Sequence, residues 1–361
     1  MFSKLAPAIL SLTACFPLSG QSAPTPGPSP LPLVVMGPPD IEHGRCLREL
    51  FEHPDQWAKT RAVVNELLFP DHGFSNKNFT DDEMRAWFAQ MQQWGLKLEL
   101  ETGAIKEWGV TGEGTFDREH AQWDRILSLG GKVDSIAMDE PLACVRFFLK
   151  PVQSEDYAVQ ETANFIAIVR KNYPQTAIVD VESYPSLTLR DNEWWIDALQ
   201  KKLAEMKIRG VDGYRLDVDS VCFSLQNKGA SWNEVAKIQQ FCHTRNLPFG
   251  LIYWAPGYNI AAALGTADDS TWYTGIIEQG YNYDQVTKAP QSGMAQKLKS
   301  DHFGRGDGGP DQYVIDSYVG APLRTLPETD NFTFTRSVLD FANKFVLGET
   351  VTKGSKGRPG R

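Results

Sequence analysis

Val133-Asp134-Ser135-Ile136-Ala137-Met138-Asp139-Glu140-Pro141 is the stretch on which the reading of this chain turns. An apolar run leads into two adjacent carboxylates and then a proline. Such a run, bounded by a breaker, reads as a buried strand, and Pro141 has no N–H with which to continue a ladder. Acids at the carboxyl end of a buried parallel strand lie on the face where α/β barrels keep their reactive groups.

The pattern recurs along the chain. Ala62–Glu66 ends in Glu66 and Lys97–Glu101 in Glu101. Thr176–Val181 carries Asp180 and runs into Glu182, and Val211–Asp219 carries Asp217 and Asp219. Pro248–Trp254 closes on Tyr253-Trp254, and Tyr313–Tyr318 contains Asp316. With Leu33–Gly37 these make eight strands. Helical segments fall between them: Arg45–Leu50, Asp81–Trp94, Arg118–Leu129, Tyr157–Asn172, Trp194–Met206, Asn233–Arg245, Met294–Ser300 and Phe334–Leu347. In Asp81–Trp94 the side chains of Phe88, Met91 and Trp94 share one face, and Asp81, Asp82 and Glu83 favour the N-terminus. Eight strand–helix units over roughly 300 residues predict an α/β chain folded as a single-domain (β/α)8 TIM barrel. An open doubly wound sheet lacks its signal, because no G-x-G-x-x-G follows the first strand.

Composition agrees with a folded body. The chain has 361 residues, 42% hydrophobic and 11% aromatic, with a formal net charge of −9. That charge, with no basic stripe among aromatics, argues against nucleic acid or anionic membrane as partner. Residues 1–21 read as a signal peptide, with Lys4 ahead of an apolar run too short to span a bilayer. Leu12-Thr13-Ala14-Cys15 resembles a bacterial lipobox, which would place a lipid anchor on Cys15; ordinary secretion is the alternative. Either reading implies export, whether secreted, periplasmic or membrane-tethered. A Pro-rich tether follows over 22–32, the barrel is expected over 33–348, and a disordered basic tail over 349–361. Removing or lipidating Cys15 leaves Cys46, Cys144, Cys222 and Cys242, compatible with one or two disulfides or with buried thiols.

Carboxylates from most strand ends converging on one rim repel one another and keep some protons near neutral pH. A proton donor paired with a second carboxylate is the equipment of glycoside hydrolysis. Glu140 is the candidate general acid, Asp217 and Glu182 are the candidate partners, and Asp139 is placed to tune Glu140. Glu66, Glu101, Asp219 and Asp316 are candidates for binding sugar hydroxyls. Tyr184, Tyr214, Tyr253, Trp254, Trp272 and Tyr318 are candidates for stacking on sugar faces. Ala255–Gly309 is expected to shape the cleft.

On these residues the chain resembles (β/α)8-barrel glycoside hydrolases. Met138-Asp139-Glu140-Pro141 is similar to the Asn-Glu-Pro that carries the acid/base glutamate in the large retaining clan, which implies that role for Glu140. The clan's second glutamate ends strand seven, where this chain has Tyr253-Trp254-Ala255-Pro256. Asp212-Gly213-Tyr214-Arg215-Leu216-Asp217 is similar to a stretch of α-amylase-type enzymes whose last Asp is the nucleophile. The expected partner is a carbohydrate, with no cofactor and a monomeric chain. Two other classes compete: a Mg²⁺- or Ca²⁺-dependent barrel hydrolase or phosphodiesterase, and a non-catalytic glycan-binding barrel. None of the six histidines falls at a strand end, which disfavours a histidine-bound metal.

Overall fold

The computed structural model describes residues 32–226, 229–301 and 307–348. The signal segment, the tether up to residue 31 and the basic tail lie outside the described residues.

Eight parallel strands close into a barrel in sequence order. They are β1 (Leu33–Gly37), β2 (Glu66–Pro70), β3 (Lys97–Thr102), β4 (Ser135–Asp139), β5 (Ala177–Tyr184), β6 (Gly213–Val218), β7 (Phe249–Tyr253) and β8 (Gln312–Asp316). Helices separate them and form the outer layer. Their starts are set by side-chain caps: Thr80 and Glu83 form a capping box on Asp81–Trp94, as do Thr188 and Asp191 on Leu189–Glu205. Among the described residues no helix is long and apolar enough to cross a membrane.

β2 differs from the expectation. Ala58–Val63 is helical, and the strand runs from Glu66 through Leu67-Leu68-Phe69. Glu66 therefore begins its strand at the barrel floor, beside Lys97 (3.3 Å), and is not a rim residue.

Strand parity sorts the interior into layers. Glu66 pairs in register with Lys97, Glu101 with Ala137, Ala137 with Val179, Arg215 with Gly250, and Gly250 with Gln312. Residues in register face the same way, and because the strands of a closed barrel tilt, in-register neighbours step along the axis and the inward positions sort into levels. The floor ring is polar. Arg215 spans it, donating through both terminal nitrogens to Glu99 and through Nε to Gln312 (2.8 Å). Gly250 makes room: a Cβ there would lie 2.7 Å from Arg215 Cγ. Above it Val35, Leu68, Ala137, Val181, Ile252 and Val314 form an apolar plug. The third ring, at the carboxyl ends, holds Glu101, Asp139, Asp217 and Asp316.

The residues between these positions face the helices. Met36, Leu67, Phe69, Leu98, Leu100, Ile136, Met138, Ile178, Leu216, Leu251 and Ile315 are buried there. Tyr184, Tyr214 and Tyr253 have the same parity and belong to this outer core, contrary to the sequence expectation. The Tyr184 hydroxyl donates to Glu234 (2.7 Å), Tyr214 donates to Asn192 (2.5 Å), and Tyr253 stacks on Tyr313. Trp272 is also core, packed on Phe334 from the helix Asp269–Thr287. Cys46, Cys144 and Cys242 are buried thiols and form no disulfide.

Candidate active site

At the carboxyl-end mouth a cavity of about 320 Å³ is lined by Glu101, Asp139, Glu140, Asp217, Asp316 and Tyr318, with Leu68, Ala137, Val181 and Ile252 of the plug and part of Arg215 beneath. A second hollow shares Leu68, Glu101, Asp316 and Tyr318 and extends toward Asp40 and His72. The mouth thus gathers acids from β3, β4, β6 and β8.

Glu140 follows β4 in a left-handed conformation (φ 49°, ψ 53°), which a non-glycine residue holds only when its surroundings fix it. The fixing groups are visible. Glu140 N–H donates to Val181 O (3.0 Å), and its carbonyl accepts from Cys144 N–H (2.8 Å). Glu182, buried behind the turn, accepts from the Leu142 N–H (2.6 Å) and the Ala143 N–H (3.2 Å). Glu182 faces the helix layer, so the structure does not bring it into the mouth as a partner of Glu140. It clamps the backbone that presents Glu140. Asp219 also leaves the mouth: its carboxylate caps the turn after β6, accepting from the Val221 and Cys222 N–H groups.

Burial and the neighbouring Asp139 push the Glu140 carboxyl up to about 7, against the pull of Lys106 and Ser183. Burial and Glu140 push Asp217 up to about 8, while Tyr318 favours its charged form. That hydroxyl donates to Asp217 Oδ2 at 2.7 Å. The Trp254 indole N–H faces the same carboxyl and also favours its charge, but without hydrogen-bond geometry; Asp217 Oδ1 and Trp254 Nε1 are both buried without a hydrogen-bond partner among the described residues. Burial, with Asp217 nearby, holds Asp316 at about 7, and burial with Asp139 and Asp316 raises Glu101 well above the usual range. Glu140 disfavours ionisation of Asp217, and Asp217 that of Asp316, so these three release their protons stepwise.

Tyr318, half exposed at the mouth, packs on the buried Trp254 ring of the apolar plug, ring centroids 4.9 Å apart. Of the six aromatics expected to bind sugar, Tyr318 is the one that lines the cavity, and Trp254 lies buried behind it.

Lys106, from the loop after β3, was not singled out by the sequence. Its ammonium donates to Asp139 Oδ2 at 2.5 Å. It lies outside any strand or helix pattern, so no periodicity marks it. Gln279, in the segment expected to shape the cleft, supports the wall from behind. Its side-chain oxygen accepts from the Trp254 N–H (3.0 Å) and the Ala255 N–H (2.8 Å), holding Ala255 at φ 63°. Behind Glu101, Asp71 and Glu119 form a buried acid pair bridged by the Thr102 hydroxyl, and burial beside Asp71 pushes Glu119 up to about 8.

No protein-family model matches the chain, and no curated protein matches its sequence. Solved structures do match in shape. A thermostable mutant of a xylanase from Cellvibrio japonicus superposes with a TM-score of 0.52 at 11% identity, covering 86% of this chain and 97% of that one. A second xylanase from Cellvibrio japonicus, in complex with xylopentaose, gives 0.50 at 12% identity over 90% of this chain and 69% of that one. At these identities the likeness establishes the (β/α)8 barrel fold.

Proposed function

We propose that this protein is an exported glycoside hydrolase working through the carboxyl pair Glu140 and Asp217. The observation that carries the reading is their placement in one mouth, where Glu140 raises the proton affinity of Asp217 and Tyr318 favours charge on Asp217. In the proposed reaction Glu140 gives its proton to the glycosidic oxygen as that bond breaks. The reactive form, with Glu140 protonated and Asp217 charged, is the minority form given values of about 7 and about 8; in it Asp217 either attacks the anomeric carbon or takes a proton from the attacking water. Asp139, held by Lys106, stays beside Glu140 and raises its proton affinity.

Carbohydrate as the substrate class is supported by the exposed Tyr318 ring beside a polar cavity, an arrangement suited to stacking a sugar ring and binding its hydroxyls. That both compared folds are xylanases agrees with this class and carries no weight for the linkage cleaved. Export rests on the signal-like segment before residue 22.

The test is release of reducing ends from a panel of polysaccharides by wild type and Glu140→Gln, with EDTA in parallel. Turnover is expected to fall by roughly 10²- to 10⁴-fold in the variant, the usual worth of a positioned proton donor, and to be unaffected by EDTA. Equal rates in the two proteins would remove Glu140 from the chemistry. Loss on chelation would transfer the chemistry to a metal.

A further inference from the structure

The floor and the mouth of this barrel handle their acids differently. On the floor each buried acid has a cation: Glu99 takes Arg215, and Glu66 takes Lys97. In the mouth five carboxyls, Glu101, Asp139, Glu140, Asp217 and Asp316, share the influence of Lys106 and Arg215. Lys106 is bonded to Asp139, and Arg215, which reaches the cavity from beneath, has its guanidinium bonded to Glu99 and Gln312. Among the described residues, carboxyls without a cation of their own, such as Glu101, Asp217 and Asp316, thus line the surface that a ligand would touch.

Asp316 is built into that surface. It is only 9% exposed, lines the cavity, and receives no hydrogen bond from any side chain of the described residues. Gly37 leaves room for it, since a Cβ there would sit 2.1 Å from Asp316 Oδ1. Nor do the acids converge on a point: among the described residues no three His, Cys, Asp or Glu groups are placed to hold one metal ion. Carboxyls spread along a mouth with an exposed tyrosine ring suit an extended ligand with its own cations rather than a single ion.

We propose that the substrate is a cationic glycan, a chain of amino sugars with free protonated amines, and that Glu101 and Asp316 receive an ammonium group. This rests on the glycosidase reading for its chemistry and on the unmatched acids for its charge. An N-acetylated sugar would leave those acids unmatched, and a uronate chain would be repelled by them. Burial has raised the proton affinity of both acids, so a bound ammonium would drive protons off them.

The test uses the full chain, below neutral pH. Polymers of glucosamine and of galactosamine are compared with their N-acetylated forms, with xylan and with a polyuronate. Reducing ends report cleavage. Calorimetry of the corresponding oligomers, in buffers of different ionisation heat, reports binding and proton release. For one free-amine polymer kcat/KM is expected to exceed that of its N-acetylated form by roughly tenfold or more, and to fall with added salt. Binding of its oligomer is expected to release protons. Asp316→Asn and Glu101→Gln, checked for folding by thermal melting, should lower the amine-to-acetyl ratio by roughly tenfold. Amine-dependent binding with proton release, but no reducing ends from any polymer, would uphold the cationic ligand and remove the hydrolytic reading. Equal or faster cleavage of a neutral or uronate polymer would overturn the charge inference and leave hydrolysis standing. Neither binding nor cleavage of any free-amine polymer by wild type would overturn it outright.

Discussion

Replacing Tyr318 by Phe removes one oxygen and tests the assignment of charge to Asp217. The hydroxyl donates to Asp217 Oδ2 at 2.7 Å. A hydrogen bond to a charged group contributes about 1.5–3 kcal/mol, and the lower end applies because Tyr318 is 51% exposed. About 1.5 kcal/mol corresponds to about one pKa unit. Asp217, already pushed up to about 8, should move up by that amount. Fewer molecules would then carry charged Asp217 at any pH below that value. The profile of kcat/KM against pH should lose roughly tenfold along its acid limb, with the limb displaced upward by about one unit. On the alkaline side wild type and variant should converge. A loss of equal size at every pH would mean that Tyr318 only binds substrate. An unmoved acid limb would refute the claim that this hydroxyl supports the charged form of Asp217.

Two further changes probe other charges. Lys106→Met removes the cation that lowers the proton affinity of Glu140, so the alkaline limb, set by loss of the Glu140 proton near 7, should move to higher pH; an unmoved limb would show that Lys106 acts on Asp139 alone. His243, at the floor, lies between Asp301 (2.7 Å) and Asp311 (2.8 Å); burial opposes its charge, but these bonds outweigh burial and raise its pKa. Its contribution to stability should be full below its unfolded value of about 6.5 and lost as pH rises through the higher folded value. Urea unfolding of wild type and His243→Gln across that range should show the gap closing as pH rises.

Much of the barrel and part of the mouth were legible in the sequence, and parity explains the division. Once Asp217 faces inward, so must Arg215, and Tyr214 must face the helices. The same alternation sends Glu182 and Tyr184 outward while Val181 faces the plug. Reading strands by their terminal acids found Glu101, Asp139, Glu140, Asp217 and Asp316, but counted neighbours of the opposite parity with them. Glu66 failed for another reason: apolar residues flank it on both sides, Ala62-Val63-Val64 and Leu67-Leu68-Phe69, so the pattern fits a strand ending or beginning there. Pairing with Lys97 decides it. Lys106 and Gln279 act from a loop and a helix, where no two-residue alternation marks a side chain as facing the site.

The mouth also costs the fold stability, and the cost has a measurable sign. A buried acid with a cation, such as Glu99 with Arg215, is compensated as built. Among the described residues no cation is bonded to Asp217, and its folded pKa of about 8 lies far above the ordinary 3.8. Its protonated form therefore favours the folded state. That contribution is full below about 3.8 and drains away as pH rises through the folded value. Asp217→Asn keeps the shape and never ionises. The variant should gain on wild type across this window, by on the order of 3 kcal/mol at its top, since the group keeps some solvent contact that screens the full shift. Urea midpoints at a series of pH values would read the gain directly. The same substitution should abolish turnover, because the proposed reaction needs the charge that destabilises the fold. A stability gain that does not grow with pH would mean that Asp217 is not held protonated by its surroundings. The basis for pairing it with Glu140 would then be lost.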